Sequence, residues 1–456
     1  MQQNPWRALC VVLTIALMTL VACTSDSNDG SGQDPNNNAP NNDAPNNDVS
    51  NNDTPSTALL DEALGCEPNP GNGVAPGDDL LKVTLDAPDA ICNDGSPAVI
   101  FVRRAANEEN QNNWVFHLQG GGGCGGADCA QRWCGRNEKM TSTATPPGMV
   151  GKGIMRRSPQ NTLGDANQVF LYYCSSDNWS GRATDAVIPA TEDTPDFRLH
   201  FRGDAIHNAA LDALEAGVTS DDGTVQMPPF EGDGFALWTG TSGGCHGVAH
   251  TADRFAARAS TQGFSPFIVC DANYGANPEF LPDGPPLEAF LEERAGRFEL
   301  TDQFANANRD QSCMEALSDD PFLCDLPGYV LGNHVTQAPL FIRMDLADPS
   351  ISDSYLAAGF SIEEFAQGVR ASLLAASQSQ GTETPPRPVA VYGPACQQHV
   401  GLTNDDWFLE ATVNVNGAEV TFHDAVVAWM GGRDVVAVDT TPPSLSTCST
   451  TTDETD

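Results

Sequence analysis

Short, continuous apolar runs separated by helical patterns constrain most strongly what this chain can fold into. The runs are rich in β-branched and aromatic residues and end in turn-forming residues. They lie at 98–102, 114–118, 169–173, 235–239, 267–270, 340–344 and 389–392. Helical patterns lie between several of them, and one begins with a capping box of Ser361 and Glu364. Continuous apolar strands that alternate with helices are typical of a mostly parallel sheet covered by helices on both faces. The sequence therefore predicts an α/β fold.

One of these runs ends in a serine surrounded by glycines, in the stretch LWTGTSGGCHGVAH. Gly240 to Gly244 fits the pattern G-x-S-x-G, with a strand pattern directly before it and a helical pattern directly after it. This context is typical of a nucleophile elbow, in which a tight turn lifts the serine above the sheet. Glycines permit the close approach, and the following helix N-terminus favours developing negative charge. We predict that Ser242 is a nucleophile.

A serine nucleophile needs a histidine base and an acid that orients it, and in α/β-hydrolases the acid and then the histidine follow the serine. Asp345 and Asp348 both follow the run at 340–344, and both remain candidates for the acid. Asp348 is favoured because it lies beyond the run, next to Pro349. His399 is the preferred base, because it follows the run at 389–392 in a loop that Cys396 could fix.

Two histidines directly after the serine raise the question of a metal. His246 and His250 have the i, i+4 spacing of zinc-binding helices, but Gly247 replaces the glutamate of H-E-x-x-H. We therefore expect them to form a polar helix face, and we predict no metal and no cofactor.

A glycine-rich segment supplies candidate donors for an oxyanion hole. The stretch WVFHLQGGGGCGG places Gly120 to Gly123 directly after a strand pattern. Backbone amides in such a loop can point at one oxygen. We predict Gly121 and Gly122 as donors, together with Gly243, the residue after the nucleophile.

Four segments resemble the pectin acetylesterase and Notum family of α/β-hydrolase serine esterases: WVFHLQGGGGC, VFLYYCSSDNWSG, GTSGGCHGVAHTADR and CQQH. The resemblance spans most of the chain. It implies an α/β-hydrolase fold with Ser242 as nucleophile, Asp348 as acid and His399 as base. The sequence departs from the family pattern at Gln119, where glutamate is usual, and at Gly243, where alanine is usual. Cys245 replaces a glycine, and we expect it to form a disulfide.

The chain start has the pattern of a bacterial lipoprotein. Arg7 precedes an apolar run at 8–20, and the following LVAC resembles a lipobox. We expect a signal peptide at 1–22, a lipid on Cys23, and a disordered tether rich in Asn, Asp and Pro at 23–62. One hydrolase domain is expected at 63–448, and an acidic, Thr-rich tail at 449–456. Thr24 after the lipidated cysteine favours an outer-membrane anchor on an exported protein.

Twelve cysteines remain after Cys10 and Cys23 are set aside. An even number in an exported chain predicts disulfide-braced loops with up to six bonds, whose pairing is not readable from sequence. Zinc binding by Cys124, Cys129 and Cys134 is the alternative, but their spacing lacks a CxxC pair.

The formal net charge of −39, with only three lysines, excludes several partners. So acidic a chain is not expected to bind nucleic acid, or membranes other than through its lipid. The resemblance implies an esterase that removes O-acetyl groups from a polysaccharide, and we expect a monomer. The alternatives are a Notum-like deacylase or lipase of longer acyl chains and a non-catalytic surface protein that binds glycans or lipids. A polyuronate substrate would be repelled unless salt screens the charge.

Overall fold

The computed structural model describes residues 56–66, 73–135, 139–379, 388–415 and 418–439. The strands are β1 (Pro76–Thr84), β2 (Val99–Arg103), β3 (Trp114–Leu118), β4 (Gly148–Met149), β5 (Asn167–Leu171), β6 (Ala183–Ile188), β7 (Phe197–Phe201), β8 (Phe235–Thr241), β9 (Ser265–Asp271), β10 (Leu340–Arg343), β11 (Ala390–Gly393), β12 (Thr412–Val415), β13 (Ala418–Thr421) and β14 (Val436–Val438). The helices are α1 (Ser56–Leu64), α2 (Asp128–Gly135), α3 (Gly203–Ala216), α4 (Gly243–Thr261), α5 (Pro285–Ala305), α6 (Gln311–Ala316), α7 (Pro327–Asn333), α8 (Pro349–Ala358), α9 (Ile362–Ala376), α10 (Asp405–Leu409) and α11 (Phe422–Met430).

Ten strands form one sheet in the order β14-β11-β10-β9-β8-β3-β5-β2-β1-β4. The strands from β14 to β5 are parallel, whereas β2, β1 and β4 continue the sheet in antiparallel pairing. All five residues of β3 and of β5 are buried, so both faces of the sheet are covered. The predicted α/β architecture is confirmed.

The seven predicted apolar runs all fall on strands of this sheet, with the ends shifted by at most two residues. The capping box of Ser361 and Glu364 is also formed at the start of α9. Strands β1, β4 and β14 of this sheet and the hairpins β6–β7 and β12–β13 are not among the predicted runs. Most residues of β1 and β6 are exposed or half-buried, so their sequences lack a continuous apolar run.

Helix α4, which follows Ser242, is fixed to the sheet by aromatic packing. Phe255 on this helix stacks on Trp238 of β8 with ring centroids 4.4 Å apart. Trp238 Nε1 also donates to Thr251 Oγ1 at 2.9 Å. These two contacts hold helix α4 against strand β8.

Five disulfides brace the described residues: Cys66–Cys134, Cys92–Cys174, Cys124–Cys129, Cys245–Cys270 and Cys313–Cys324. Cys396 is disulfide-bonded as well. The three cysteines considered for zinc are thus all used in disulfides, and Cys245 is bonded as expected. Cys448 lies outside the described residues.

The predicted tether at 23–62 extends too far, because α1 begins inside it at Ser56. Leu60 of α1 is 5% exposed, in a small apolar cluster with Trp133 and Phe201. Asp61 accepts a hydrogen bond from Trp133 Nε1 at 3.0 Å. The folded domain therefore starts near residue 56 rather than 63. Cys23, the signal peptide and the C-terminal tail lie outside the described residues, and none of the described helices is long and apolar enough to cross a membrane.

Substitution Leu60→Ala tests whether α1 belongs to the domain. We expect a loss of about 2 kcal/mol in the free energy of unfolding, because a buried leucine is truncated within a packed cluster. Guanidinium unfolding with intact disulfides measures the change. Glu62→Ala, on the exposed side of the same helix, is the control and should stay within about 0.5 kcal/mol of the original protein. Equal effects of both substitutions would show that α1 contributes nothing.

Candidate active site

Ser242 occupies the turn between β8 and α4 in a conformation that non-glycine residues rarely adopt, with φ 52° and ψ −122°. Strained backbone of this kind persists only where the surroundings hold it. Here the Ser242 amide donates to the carbonyl of Asp271 at 2.9 Å, and Asn273 Nδ2 donates to the Ser242 carbonyl at 2.9 Å. The Ser242 side chain does not cap α4. Its hydroxyl is therefore available for chemistry.

The glycines around Ser242 are required by close approach of backbone to backbone. A Cβ on Gly240 would lie 2.2 Å from the Gly244 oxygen, and one on Gly244 would lie 2.0 Å from the Leu118 oxygen. Any side chain at either position would push the helix away from the sheet. The glycines thus set the height of Ser242 above the strand ends.

Ser242, His399 and Asp348 form one chain of hydrogen bonds. His399 Nε2 lies 2.9 Å from Ser242 Oγ, and His399 Nδ1 lies 2.9 Å from both carboxylate oxygens of Asp348. Asp348 is fully buried and caps α8, accepting from the amides of Ser350 and Ile351. Those amides fix the carboxylate, which in turn fixes the imidazole. The three residues lie far apart in the sequence, and the structure brings them together. They meet in the order serine, histidine, carboxylate, as acyl transfer requires.

Asp345, the alternative acid, is bound elsewhere. Its carboxyl group pairs with Arg343, and among the described residues no hydrogen bond joins it to His399. Burial, with the nearby charges of Asp348 and Asp271, raises the pKa of Asp345 to about 8, although Arg343 opposes the shift. Asp348 is the carboxylate that lies within hydrogen-bond distance of His399.

The loop after β3 brings two free amides beside the elbow. Among the described residues, the amides of Gly121 and Gly122 donate no hydrogen bond. A Cβ on Gly243 would lie 3.1 Å from Gly122 N, 3.5 Å from Gly121 N and 3.0 Å from Asn178 Oδ1. The amides of Gly121 and Gly122 thus lie close to Gly243, the residue after Ser242. The same crowding gives a reason for glycine at 243, where the resemblance leads one to expect alanine.

A buried ion pair that the sequence reasoning missed lies beneath the site. Arg343 of β10 and Asp271 of β9 stand opposite each other in the sheet, with Arg343 Nη1 2.8 Å from Asp271 Oδ1. The other Asp271 oxygen accepts from the amides of Gly401 and Leu402, directly after His399. Asp271 therefore holds the loop after His399 through its side chain, and it holds Ser242 through its backbone carbonyl. The signal in the sequence was an arginine inside an otherwise apolar run, PLFIRMD.

His246 and His250 are buried, so the expected polar face of α4 is not a solvated one. They are 8% and 3% exposed, with ring centroids 4.9 Å apart. Asp325 lies beside them, with His246 Nε2 3.6 Å from Asp325 Oδ1. The segment that covers this polar face is distant in sequence.

Ser242 and His399 open into a cavity of about 1750 Å³. Helices α5 and α8 supply much of one wall and pack against each other through Phe290 and Tyr355, whose rings stack at 4.4 Å. Two of the three lysines of the chain, Lys139 and Lys152, also line it. The cavity is large enough for a sugar unit or an acyl chain.

Comparison with known proteins identifies the family. A family model described as Pectinacetylesterase matches residues 79–449. The chain belongs to the pectinacetylesterase family. The resemblance expected from the four motifs is confirmed.

Among curated proteins, the chain is 35% identical over 119 residues to the palmitoleoyl-protein carboxylesterase notum1' of Xenopus laevis, which is 25% of this chain and 23% of that protein. It is 34% identical over 96 residues to NOTUM of Homo sapiens, 20% of this chain and 19% of that protein. A third relative, notum1b of Danio rerio, is named as inactive and is 36% identical over 93 residues, 20% of this chain and 65% of that protein. The match spans about a quarter or less of the full length of the first two relatives.

A solved structure shares the fold over a larger region. The Wnt deacylase Notum from Drosophila superposes with a TM-score of 0.62 at 21% identity, covering 80% of this chain and 97% of that chain. The predicted α/β-hydrolase fold is confirmed, with a mixed, mostly parallel sheet.

Substitution Arg343→Met tests the buried pair beneath the site. Removing the guanidinium leaves Asp271 buried without its cation, and we expect a loss of about 3–5 kcal/mol in the free energy of unfolding. Urea unfolding with intact disulfides measures it. Arg198→Met is the control, because Arg198 and Asp185 form an ion pair more than half exposed on both sides, and its loss should cost less than about 1 kcal/mol. Similar values for both variants would contradict the role assigned to Arg343.

Proposed function

We propose that this protein is a carboxylic ester hydrolase in which Ser242 is the nucleophile. The observation that carries the proposal is the hydrogen-bond chain from Ser242 Oγ through His399 to Asp348, at the wall of a large cavity. A serine hydroxyl is a weak nucleophile by itself and needs a base within hydrogen-bond distance. One relative is named as inactive, so the proposal rests on this geometry and not on family membership alone.

The reaction would proceed by acyl transfer in two steps. His399 Nε2 takes the proton from Ser242 Oγ as the oxygen attacks the ester carbonyl, and then returns it to the leaving alcohol. Water, activated by the same nitrogen, cleaves the acyl-enzyme and releases the acid. Asp348 orients the imidazole and stabilises the imidazolium that forms. Nothing beyond these side chains, backbone amides and water is needed.

The tetrahedral intermediates carry an oxyanion, for which the amides of Gly121, Gly122 and Gly243 are the proposed donors. Fixed donors in a site shielded from water stabilise this charge more strongly than water does, because they need no reorganisation. The positive end of α4 acts in the same direction.

An O-acetylated polysaccharide is the substrate class we propose. The cavity wall carries four cationic side chains against five carboxylates, whereas the whole chain carries 22 against 61. The local charge is therefore close to balanced, and an acidic sugar would not meet the repulsion that the net charge suggests. Lys139 and Lys152 are positioned to attract carboxylates of such a substrate.

A longer acyl chain is the alternative substrate. Phe290, Leu300 and Ile351 contribute apolar surface to the same cavity, and the similar proteins from Xenopus and human are named palmitoleoyl-protein carboxylesterases. Hydrolysis rates across acyl chain lengths separate the two substrate classes.

We also propose that the protein acts as a monomer at the cell envelope, exported and held by a lipid on Cys23. The disulfides support export, because such bonds persist in oxidising compartments.

Substitution Ser242→Ala is expected to lower kcat for p-nitrophenyl acetate by about a million-fold, to the background rate, because the nucleophile is lost. Steady-state kinetics on esters from acetate to palmitate measure the effect and the chain-length preference together. A rate that falls steeply with chain length supports the deacetylase, and a preference for long chains supports the deacylase. An undiminished rate in folded Ser242→Ala would rule out the mechanism.

The pair Asp348→Asn and Asp345→Asn tests the choice of acid. Asp348→Asn should lower kcat by about 10⁴-fold, because the amide cannot hold the imidazole in the required tautomer. Asp345→Asn should stay within about tenfold of the original kcat, because Asp345 pairs with Arg343 and makes no hydrogen bond to His399 among the described residues. The reverse order of effects would assign the acid to Asp345.

A further inference from the structure

The histidines of α4 meet a carboxylate from a distant segment and form a cluster of metal-binding groups. His246, His250 and Asp325 each offer one ligand atom, and these atoms all lie within 4.8 Å of one another. The i, i+4 spacing places both imidazoles on one side of α4. Asp325 closes the cluster from the turn between α6 and α7, where its neighbour Cys324 is bonded to Cys313.

The imidazoles of this cluster are buried without partners that would explain them. Among the described residues, neither ring nitrogen of His250 has a hydrogen-bond partner, and the same holds for Nε2 of His246. The two residues are 8% and 3% exposed. Buried polar nitrogens are usually bonded, so each unpaired one requires an explanation. A metal ion would use one lone pair from each ring.

Asp325 is held as a metal-ligating carboxylate usually is, by a hydrogen bond from a neighbour. Arg309 Nε donates to Asp325 Oδ1 at 3.1 Å. The Arg309 guanidinium also pairs with Asp302 and lies over the ring of Phe298 at 3.9 Å. The positive charge of Arg309 is thus shared between two carboxylates, which limits its repulsion of a cation at the cluster.

We propose that His246, His250 and Asp325 bind a divalent transition metal, with zinc as the preferred ion. Two imidazoles and one carboxylate are the ligand set of three-ligand zinc sites that keep a fourth position open. A tetrahedral zinc holds its ligand atoms about 3.4 Å apart. The 3.6 Å between His246 Nε2 and Asp325 Oδ1 is already close to this spacing, and since all ligand atoms lie within 4.8 Å of one another, the widest pair needs to close by up to about 1.4 Å.

The fourth position faces the substrate cavity. His246 and Asp325 line the same cavity as Ser242, and the His246 amide donates to the Ser242 carbonyl at 3.1 Å. The metal binds a small oxygen or nitrogen ligand there, and so gives the cavity a point of attachment for a hydroxyl or carboxylate group. This site is separate from the hydrolytic step, which needs no metal.

Cobalt binding to the full chain tests the site without any turnover. After removal of metals with a chelator, Co²⁺ is titrated in the presence of excess Mg²⁺, which occupies the surface carboxylates. We expect one equivalent with the visible absorption of a tetrahedral cobalt site, displaced by Zn²⁺. His250→Gln and Asp325→Asn should each weaken binding by at least about 100-fold.

His334→Gln is the matched control, because His334 bonds to Ser312 outside the cluster and its loss should leave cobalt binding unchanged. Near-ultraviolet circular dichroism shows whether each variant keeps its fold. The absence of a stoichiometric site in the original protein, or equal affinity in folded His250→Gln, overturns the proposal.

Azide tests the open position. A shift of the cobalt absorption on addition of azide is the expected result, and an unchanged spectrum shows that the position facing the cavity is closed. Neither result depends on ester hydrolysis. Failure of the metal site and failure of the proposed esterase function are therefore distinguishable.

Discussion

The buried pair of Arg343 and Asp271 joins the parts of the site that have to stay in register. Asp271 accepts from the loop after His399 through its carboxylate and from the Ser242 amide through its carbonyl. Arg343 neutralises that carboxylate from the next strand. A buried ion pair costs desolvation, and it persists where the hydrogen bonds around it are complete. Ser242 and His399 are thus held by one interior group, and the Ser242 hydroxyl lies 2.9 Å from the His399 imidazole.

The elbow places Ser242 at the edge of the sheet, and the surrounding loops decide what reaches it. The loop after β3 supplies the backbone amides of Gly121 and Gly122, and α8 supplies Asp348 as its N-cap. Helices α5 and α8 form an apolar wall of the cavity. The disulfide Cys245–Cys270 links α4 to β9 directly behind the serine. Ser242 and its hydrogen-bond partners therefore lie on or next to regular elements, while helices α5 and α8 line the cavity beside them.

Much of the fold could be predicted because buried parallel strands leave continuous apolar runs, and all seven predicted runs lie on strands. Ser242, Asp348 and His399, which the structure joins in one hydrogen-bond chain, could be selected from the sequence because each follows such a run. Strand β1 and helix α1 could not, since PGDDLLKVT has little periodicity and α1 depends on a contact with Trp133. For the same reason, the predicted start of the domain at residue 63 lies after the observed start of α1 at Ser56.

The sequence by itself determined the buried central strands, the turn at Ser242 and the candidate residues Asp348 and His399, because these follow from local patterns of apolar residues and glycine. Only the tertiary structure decided between Asp345 and Asp348, because the choice depends on which carboxylate meets His399 and which meets Arg343. The same holds for His246 and His250. Their spacing is visible in the sequence, but Asp325 joins them only through the packing of a distant turn, and burial is a property of the assembled fold.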